Sequence, residues 1–557
     1  MIEERLIALV RMALAASAGE LGLEGDPPPV ELSTPKKKEH GDFATNAALA
    51  LAGRVDRPPR EVADVLVGHL PEAAFLERVE IAGPGFVNFF VTDDWLHDTL
   101  RDAVRLGPAY GRGEPLGRSV QVEFVSANPT GPLHIGTARN AVIGDAIAAV
   151  MEAAGWTVGR EYYFNDAGRQ MDLFGASVEA RYLQRFGRDV EIPDEGYHGA
   201  YIGVLADELA VTFGDALVDL PEEERHDRIL HEGAQRILAQ IERTLQRFGV
   251  RFDRFVHERE LHESGEVQQA VARLRAGGHV YDADGAVWFR STDFGDDKDR
   301  PLIRSNGAPT YFAADCAYVV DKFRRGFDHV IYVWGADHHG DVARVKGAAE
   351  AMGFDPGAVE IVLYQFVTLY RGGELVRMSK RAGDIITLDE LLDEVGVDAT
   401  RFTLLSRSND SPMDFDIELV KRQTMDNPVY YVQYGHARIA SILRHAAERG
   451  VALRTIGDAD LSLLSTGAEV ELLKAIAEVP AQVAEAAELR APHRLTYFVQ
   501  ELASRFHRFY TECRVVTEDE ALTQARLWLC TGAKLAIANV LGLLGVSAPE
   551  EMERVDA

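Results

Sequence analysis

The chain has 557 residues, 46% hydrophobic and 26% charged, which is ordinary for a globular protein and allows about three or four domains. Its cysteines, Cys316, Cys513 and Cys530, lie far apart in the sequence, which argues against a disulfide framework and leads us to expect no protein-bound zinc. A net charge of −29 disfavours the binding of a polyanion except at local basic patches. The first residues lack signal-peptide character and no stretch reaches bilayer length, so we expect a cytoplasmic protein without membrane contact.

The first part of the chain, residues 1–107, is predicted to form a small α+β domain. Helical and β-type patterns alternate within it, and glycines and a proline near 106–113 indicate a linker. A basic run that includes Lys36 and Lys37 is a candidate contact for a polyanion. The alternative is a solvated charged face, which is what most charge runs are.

A βαβ unit is predicted around residues 131–137. The run 120–125 alternates as a half-buried strand, a helical pattern follows Thr137, and residues 160–165 form the next β-type run. The helix N-terminus in such a unit binds anions. The sequence therefore predicts a multidomain α/β protein with a Rossmann-like parallel sheet and a nucleotide beside residues 131–137.

The residue types of this first motif suit chemistry on a nucleotide phosphate. Gly131 and Gly136 allow a backbone to approach a nucleotide where a side chain would intrude. His134 can donate a hydrogen bond to a phosphate oxygen as negative charge builds there, and Thr137 offers an uncharged donor. A helix cap and a surface histidine would explain the same residues, so the motif needs a second signal.

The second signal is the segment 378–381 in the latter half of the chain. Lys380 carries a point charge on a flexible stem, which suits it to neutralise a leaving pyrophosphate, with Met378 and Ser379 beside it. Taken alone, such a segment is usually a solvated loop. Because both signals occur in order, we predict that His134 and Lys380 converge on one ATP triphosphate.

The two motifs resemble the HIGH and KMSKS signatures of class I aminoacyl-tRNA synthetases, and the sequence around them resembles the arginyl-tRNA synthetase family. The similarity is spread in order along the chain. Thr137 stands where the class usually has a second histidine, so the role of that histidine does not transfer to this chain. The matching segments are 123–134, 161–168, 311–315, 335–340, 427–434 and 545–549.

The resemblance implies a three-part organisation. Residues 1–107 would be the additional N-terminal domain, which contacts the outer corner of the tRNA. Residues 108–415 would be the class I catalytic Rossmann domain, with a helical insertion at about 170–250. Residues 416–557 would be the all-α anticodon-binding domain, although helical periodicity alone indicates only a core.

The resemblance also implies a pocket for arginine. A guanidinium is planar and permanently charged, so its pocket needs carboxylates. Asp315 and Tyr311 lie one helical turn apart, on one face, and Asp253 is the candidate for a second carboxylate. Without a ligand role, Asp315 would be a helix cap. The other implied arginine-binding residues are Glu123, Ser126, Asn128 and His338.

The implied nucleotide site uses both motifs, and Asp337 resembles class I residues near the ATP ribose. Magnesium is expected to arrive with the ATP phosphates, and no protein metal site is expected. The implied ATP-binding residues are Gly131, His134, Gly136, Asp337, Met378 and Lys380. The implied catalytic residues are His134, Gly136, Thr137, Ser379 and Lys380.

The implied function is ligation of L-arginine to tRNA(Arg) through arginyl-adenylate, with release of AMP and pyrophosphate. A monomer is expected. The alternatives are a class I synthetase of other amino-acid specificity and a catalytically inactive tRNA-binding paralogue. The candidate tRNA-binding residues are Lys36, Lys37, Tyr434, Arg438 and Arg444.

Overall fold

A computed structural model describes residues 2–33, 35, 37–166, 168–376 and 386–552. The chain forms two compact units. The first comprises Met1–Gly111, Arg438–Ala481 and Glu501–Asn539. The second comprises Arg112–Ala437, Gln482–Gln500 and Val540–Ala557. The C-terminal third thus contributes residues to both units.

The first unit contains a four-stranded antiparallel sheet in the order β1-β2-β4-β3. Apolar side chains of its first three helices pack on this sheet, with Leu6, Leu51 and Phe89 fully buried. Its N-terminal elements are α1 Ile2–Leu21, β1 Leu32–Ser33, β2 Phe43–Thr45, α2 Ala47–Val55, α3 Pro59–Gly68, β3 Leu76–Ala82, β4 Phe86–Val91 and α4 Asp94–Leu106.

The second unit is built from alternating strands and helices. Its strands are β5 Ser119–Glu123, β6 Thr157–Phe164, β7 Arg254–His257, β8 Val280–Ala283, β9 Ala286–Phe289, β10 Arg300–Ile303, β11 His329–Gly335, β12 Val359–Tyr364, β13 Val367–Arg371, β14 Glu374–Leu375 and β15 Met413–Asp416. Its helices are α5 Ile135–Ala153, α6 Arg169–Arg185, α7 Ala200–Phe213, α8 Glu222–Arg247, α9 Glu258–Glu263, α10 Glu266–Ala276, α11 Tyr311–Arg324, α12 Val342–Ala351, α13 Leu388–Val395, α14 Val397–Leu405 and α15 Ile417–Val420.

The C-terminal region is helical, as its periodicity predicts. The helices are long, and together they supply residues to both units. They are α16 Pro428–Glu448, α17 Gly467–Glu488, α18 His493–Glu512 and α19 Glu520–Leu543.

A five-stranded parallel sheet in the order β12-β11-β5-β6-β7 organises the second unit, which confirms the predicted Rossmann-like fold. The chain moves outward from β5 to β6 and β7 on one side, and later to β11 and β12 on the other. In such a sheet, ligands bind beyond the carboxyl ends of the strands where the order reverses. That point lies between β5 and β11. The predicted insertion at about 170–250 corresponds to α6, α7 and α8.

Close packing of α5 on the sheet depends on Gly144. A Cβ atom there would clash with the ring of Phe124, which directly follows β5. The same helix also contributes Ala141, Ile147 and Ala148, which are completely buried. The glycine therefore brings α5, and the first motif at its N-terminus, close against the central strand.

We expect Gly144→Ala to lower the free energy of unfolding by about 1–3 kcal/mol, because the added methyl forces Phe124 or α5 to move. The matched control is Gly203→Ala in α7, where a Cβ would meet nothing within 4 Å. That change should stabilise by about 0.5–1 kcal/mol, since alanine favours the helix. Urea titration followed by circular dichroism measures both, and equal effects of the two variants would contradict the packing argument.

Candidate active site

His134 begins α5 as its N-cap residue, in an extended backbone conformation. Its Nδ1 accepts a hydrogen bond of 3.2 Å from the backbone N–H of Gly136. Because Nδ1 accepts, a neutral imidazole carries its proton on Nε2. This arrangement orients a donor at the helix N-terminus, where anions are favoured.

The two glycines of the first motif are explained by protein contacts. A Cβ at Gly136 would lie 3.1 Å from Cε1 of His134, so glycine lets the imidazole lie against the first turn. A Cβ at Gly131 would lie 3.0 Å from Oη of Tyr201. Thr137 is buried on the same helix. The predicted close approach of a nucleotide at these glycines stays a prediction.

The second motif falls within residues 377–385, so Met378, Ser379 and Lys380 lie outside the described residues. The residues after it are described. Thr387 forms an isolated antiparallel bridge with His134, and the N–H of Leu388 donates to the carbonyl of Leu133 at 2.7 Å. The chain that follows the second motif is therefore anchored on the first.

The loop after β5 has an unusual backbone. Val125 and Ser126 have φ values of 67° and 40°, a left-handed conformation that a β-branched residue rarely adopts. Asn140 Oδ1 accepts from the N–H of Val125 at 2.5 Å, and Tyr162 Oη donates to the carbonyl of Ala127 at 2.9 Å. Strain held by such contacts is common at functional sites.

Glu123 ends β5 and is engaged by protein groups on both oxygens. Lys322 Nζ lies 2.5 Å from its Oε2, and Ser126 Oγ donates to its Oε1 at 3.0 Å. Lys322 is fully buried, and the ammonium contacts the ring of Tyr332 at 3.5 Å. Burial lowers the pKa of Lys322, while Glu123 opposes that shift. Glu123 therefore positions Ser126 at the carboxyl end of the sheet.

Asp315 and Glu258 are close enough for their carboxylates to repel each other. Asp315 on α11 is exposed to solvent, although many protein atoms surround its carboxyl group. Desolvation and the repulsion of Glu258 and Glu123 raise the pKa of Asp315 to about 7. Within the described part of the chain, Asp315 has no hydrogen bond or ion pair. A planar cation placed here would relieve that repulsion.

Two tyrosines lie beside these carboxylates. Tyr163 Oη donates to Glu258 Oε2 at 3.2 Å, and burial together with Glu258 and Asp315 raises the pKa of Tyr163. Tyr311 begins α11, one turn before Asp315, and 46% of it is exposed. A Cβ at Gly168 would clash with Tyr311 Oη, so glycine there makes room for the hydroxyl.

Asp253, predicted as the second carboxylate, lies at the opposite end of β7 from Glu258. It precedes β7, and its Oδ2 accepts from the N–H of Arg160 within β6 at 2.8 Å. Glu258 follows β7 at the opposite, carboxyl end. The signal that identifies Glu258 in the sequence is its place directly after a β-type run, where parallel strands present ligand-binding residues.

The remaining predicted ligand residues lie beyond the strand ends. Asn128 Nδ2 donates to Gln170 Oε1 at 2.5 Å. Asp337 and His338 are exposed in a short 3₁₀ helix, Ala336–Asp341, that follows β11. His338 Nδ1 lies 3.2 Å from Asp341 Oδ2. The structure thus brings these residues to the same edge of the sheet as Asp315.

The candidate tRNA contacts are only partly described. Lys36 lies outside the described residues, and the exposed Lys37 pairs with Glu39 at 3.2 Å. Tyr434, Arg438 and the exposed Arg444 all lie on α16, where Tyr434 stacks on another tyrosine of the helix. Their role in binding RNA stays a prediction.

Two kinds of feature are absent from the part of the chain that the structure describes. No group of three or more His, Cys, Asp or Glu side chains in the described ranges is arranged to hold a metal ion. None of the helices in those ranges has both the length and the apolar character that a bilayer crossing needs.

We expect Lys322→Met to cost about 3–5 kcal/mol of unfolding free energy, because it leaves the buried Glu123 charge unpaired. Adding Glu123→Gln should recover most of that loss, since the charge is then removed. Arg188→Met, which breaks an exposed pair with Asp219, should have no measurable effect. Urea titration of the three variants measures these changes in unfolding free energy. A double variant no more stable than Lys322→Met alone would contradict the coupling between the two charges.

Three family models match the chain. The model described as "Arginyl tRNA synthetase N terminal domain" covers residues 4–91. The model for "tRNA synthetases class I (R), catalytic domain" covers residues 107–422, more than half of the chain. The "DALR anticodon binding domain" covers residues 432–552.

Similar proteins extend over nearly the full length. The arginine–tRNA ligase of Carboxydothermus hydrogenoformans is 49% identical over 539 residues, 97% of each chain. That of Frankia alni is 50% identical over 552 residues, 97% of this chain and 99% of the relative. The solved arginyl-tRNA synthetase of Thermus thermophilus has a TM-score of 0.74 at 26% identity, covering 99% of this chain and 100% of its own. The chain therefore belongs to the arginyl-tRNA synthetase family and carries its class I catalytic domain.

Proposed function

We propose that this protein ligates L-arginine to tRNA(Arg) in two steps, at the carboxyl edge of the parallel sheet. The observation that carries the proposal is the meeting of two features at that edge. The first is the bridge between His134 and Thr387, which anchors the chain after the second motif on the first motif. The second is a pair of carboxylates that repel each other, Asp315 and Glu258, of which Asp315 is exposed and has no ion pair among the described residues.

In the proposed pocket, Asp315 and Glu258 receive the guanidinium of arginine. Two carboxylates and the flanking Tyr311 and Tyr163 suit a planar cation with several N–H donors better than the point charge of lysine. A neutral amino acid would leave Asp315 desolvated and unpaired. Ser126 and Asn128, held beside the strained loop, would orient the amino-acid end.

In the first step, a carboxylate oxygen of arginine attacks the α-phosphorus of ATP. The bond from the α-phosphorus to the bridging oxygen breaks, and pyrophosphate leaves with that electron pair. We assign His134 and Lys380 to stabilise the negative charge that builds on the phosphates, with Asp337 near the ribose. The helix N-terminus and its backbone N–H groups at Gly136 and Thr137 add to that stabilisation.

In the second step, a hydroxyl of the terminal adenosine of the tRNA attacks the adenylate carbonyl. AMP leaves, and the hydroxyl proton is lost to solvent or to AMP. Lys36, Lys37, Tyr434, Arg438 and Arg444 are the proposed tRNA contacts. Magnesium bound to the ATP phosphates, a monomeric state and a cytoplasmic location belong to the same proposal.

The proposed function predicts that, among the twenty amino acids, only arginine is attached to total tRNA in the presence of ATP. The measurement is acid-precipitable labelled amino acid, with each amino acid supplied in turn. Attachment of a different amino acid would favour a class I synthetase of other specificity. A purified chain that binds tRNA but charges it with nothing would be the inactive paralogue.

Arginine binding is expected to weaken as the pH falls below about 7. The carboxylate of Asp315 must be charged to pair with a guanidinium, and its raised pKa of about 7 means that protons compete for it. The dissociation constant should therefore rise about tenfold from pH 8 to pH 6. Isothermal calorimetry at a series of pH values measures it.

The variant Asp315→Asn tests the residue itself. It should weaken arginine binding about 100-fold at pH 8 and make the dissociation constant independent of pH between 6 and 8. Asp253→Asn is the matched control, because this exposed carboxylate lies at the other end of β7 and should leave the dissociation constant unchanged. A pH dependence that persists in Asp315→Asn would assign the titration to another group.

A further inference from the structure

A cleft of about 450 Å³ lies between α7, α8 and the start of α13, within the helical insertion and the segment after the second motif. Three arginines of α8 line it: Arg236, Arg243 and Arg247. Residues spaced seven and four apart fall on one face of a helix, so these side chains form a row. The lining thus holds three arginines and two carboxylates, Glu208 and Asp389.

Two of the three arginines are engaged by carboxylates. Arg236 pairs with Glu232 at 2.8 Å, and Arg247 pairs with Asp393 at 2.6 Å. Arg247 also lies 3.4 Å from Asp389, which accepts a hydrogen bond of 2.6 Å from Thr244. These contacts tie the end of α8 to α13 and fix the cleft wall.

Arg243 differs from its neighbours. Its side chain is exposed at the cleft, and it has no hydrogen bond or ion pair to any residue that the structure describes. The carboxylates that line the cleft, Glu208 and Asp389, lie within 4 Å of Arg236 and Arg247. The charge of Arg243 is therefore left for a ligand, and a guanidinium presents several N–H donors to a phosphate.

The cleft adjoins the first motif on two sides. Tyr201, on its α7 wall, donates from Oη to the carbonyl of Thr130 at 2.7 Å. Asp389, on its α13 wall, is the second residue after Thr387, which bridges His134. A ligand in the cleft would thus lie next to residues 130–134.

We propose that this cleft binds a backbone phosphate of the 3′ strand of the RNA substrate, with Arg243 as its principal contact. The inference rests on the proposed function. The second step needs the terminal adenosine beside His134, so the nucleotides that precede it must pass along a surface adjoining this motif. The cleft is such a surface, because its arginine row lies beside residues that contact the motif.

The test is aminoacylation by the full-length protein at varied tRNA concentration. Arg243→Gln should raise the KM for tRNA about tenfold, as expected for the loss of a charged hydrogen bond. The salt dependence of kcat/KM should become flatter by about one unit of log–log slope, because one phosphate contact is lost. Arg243→Lys should retain most of the affinity, since it keeps the charge.

A second variant at the same cleft should act in the opposite direction. Glu208→Gln removes a negative charge from the lining and should lower the KM for tRNA. The matched control is Arg188→Gln, at an exposed arginine that does not line the cleft. This variant should leave the KM for tRNA and the salt dependence of kcat/KM unchanged. Opposite signs for Arg243→Gln and Glu208→Gln are hard to produce through misfolding.

Two results would overturn the proposal. One is a KM and a salt slope for Arg243→Gln equal to those of the wild type. The other is a lower kcat at saturating tRNA with an unchanged KM, which would indicate a role other than phosphate binding. A wild-type protein that charges no tRNA at all would instead contradict the proposed function. Failure of the phosphate site and failure of the proposed function therefore give different results.

Discussion

One buried amide, that of Asn140, joins the two strands between which the sheet reverses its order. Its Oδ1 accepts from Val125 just beyond β5, and its Nδ2 donates to the carbonyl of Val333 in β11 at 2.8 Å. A buried amide left without such partners costs more than the bonds contribute when made, so the pairing is strongly enforced. The hydrogen bond from Asn140 holds one end of the left-handed turn at Val125 and Ser126.

The carboxylates near the parallel sheet of the second unit are of two kinds. Glu161 accepts two hydrogen bonds from Arg325 at 2.7 and 2.8 Å, and Glu123 pairs with Lys322, so these buried carboxylates are neutralised within the fold. Asp315 has no hydrogen bond or ion pair among the described residues, and the pKa of its carboxyl is raised to about 7, with Arg344 opposing the shift. This contrast is the basis for proposing Asp315 as a contact for an external cation.

The sequence predicted the fold class well and the site unevenly, for identifiable reasons. Strand and helix periodicity indicates a βαβ unit locally, and the parallel sheet confirms it. Choosing between Asp253 and Glu258 required knowing which end of β7 lies near Asp315, and that end holds Glu258. Asn140 left a weaker trace, as a polar residue directly before the apolar residues 141–143 of α5.

The sequence by itself determined the family, the order of the elements and the two motifs, because these depend on residue identity and short-range periodicity. Tertiary structure decided which side chains meet. Thr387 reaches His134 across a long stretch of sequence, and Glu258, which follows β7, comes near Asp315 on α11. Such pairings depend on sheet order and on the direction of each strand end, and neither is written in local spacing. The arginine row of α8 is likewise periodic in the sequence, but only the fold places it beside the first motif.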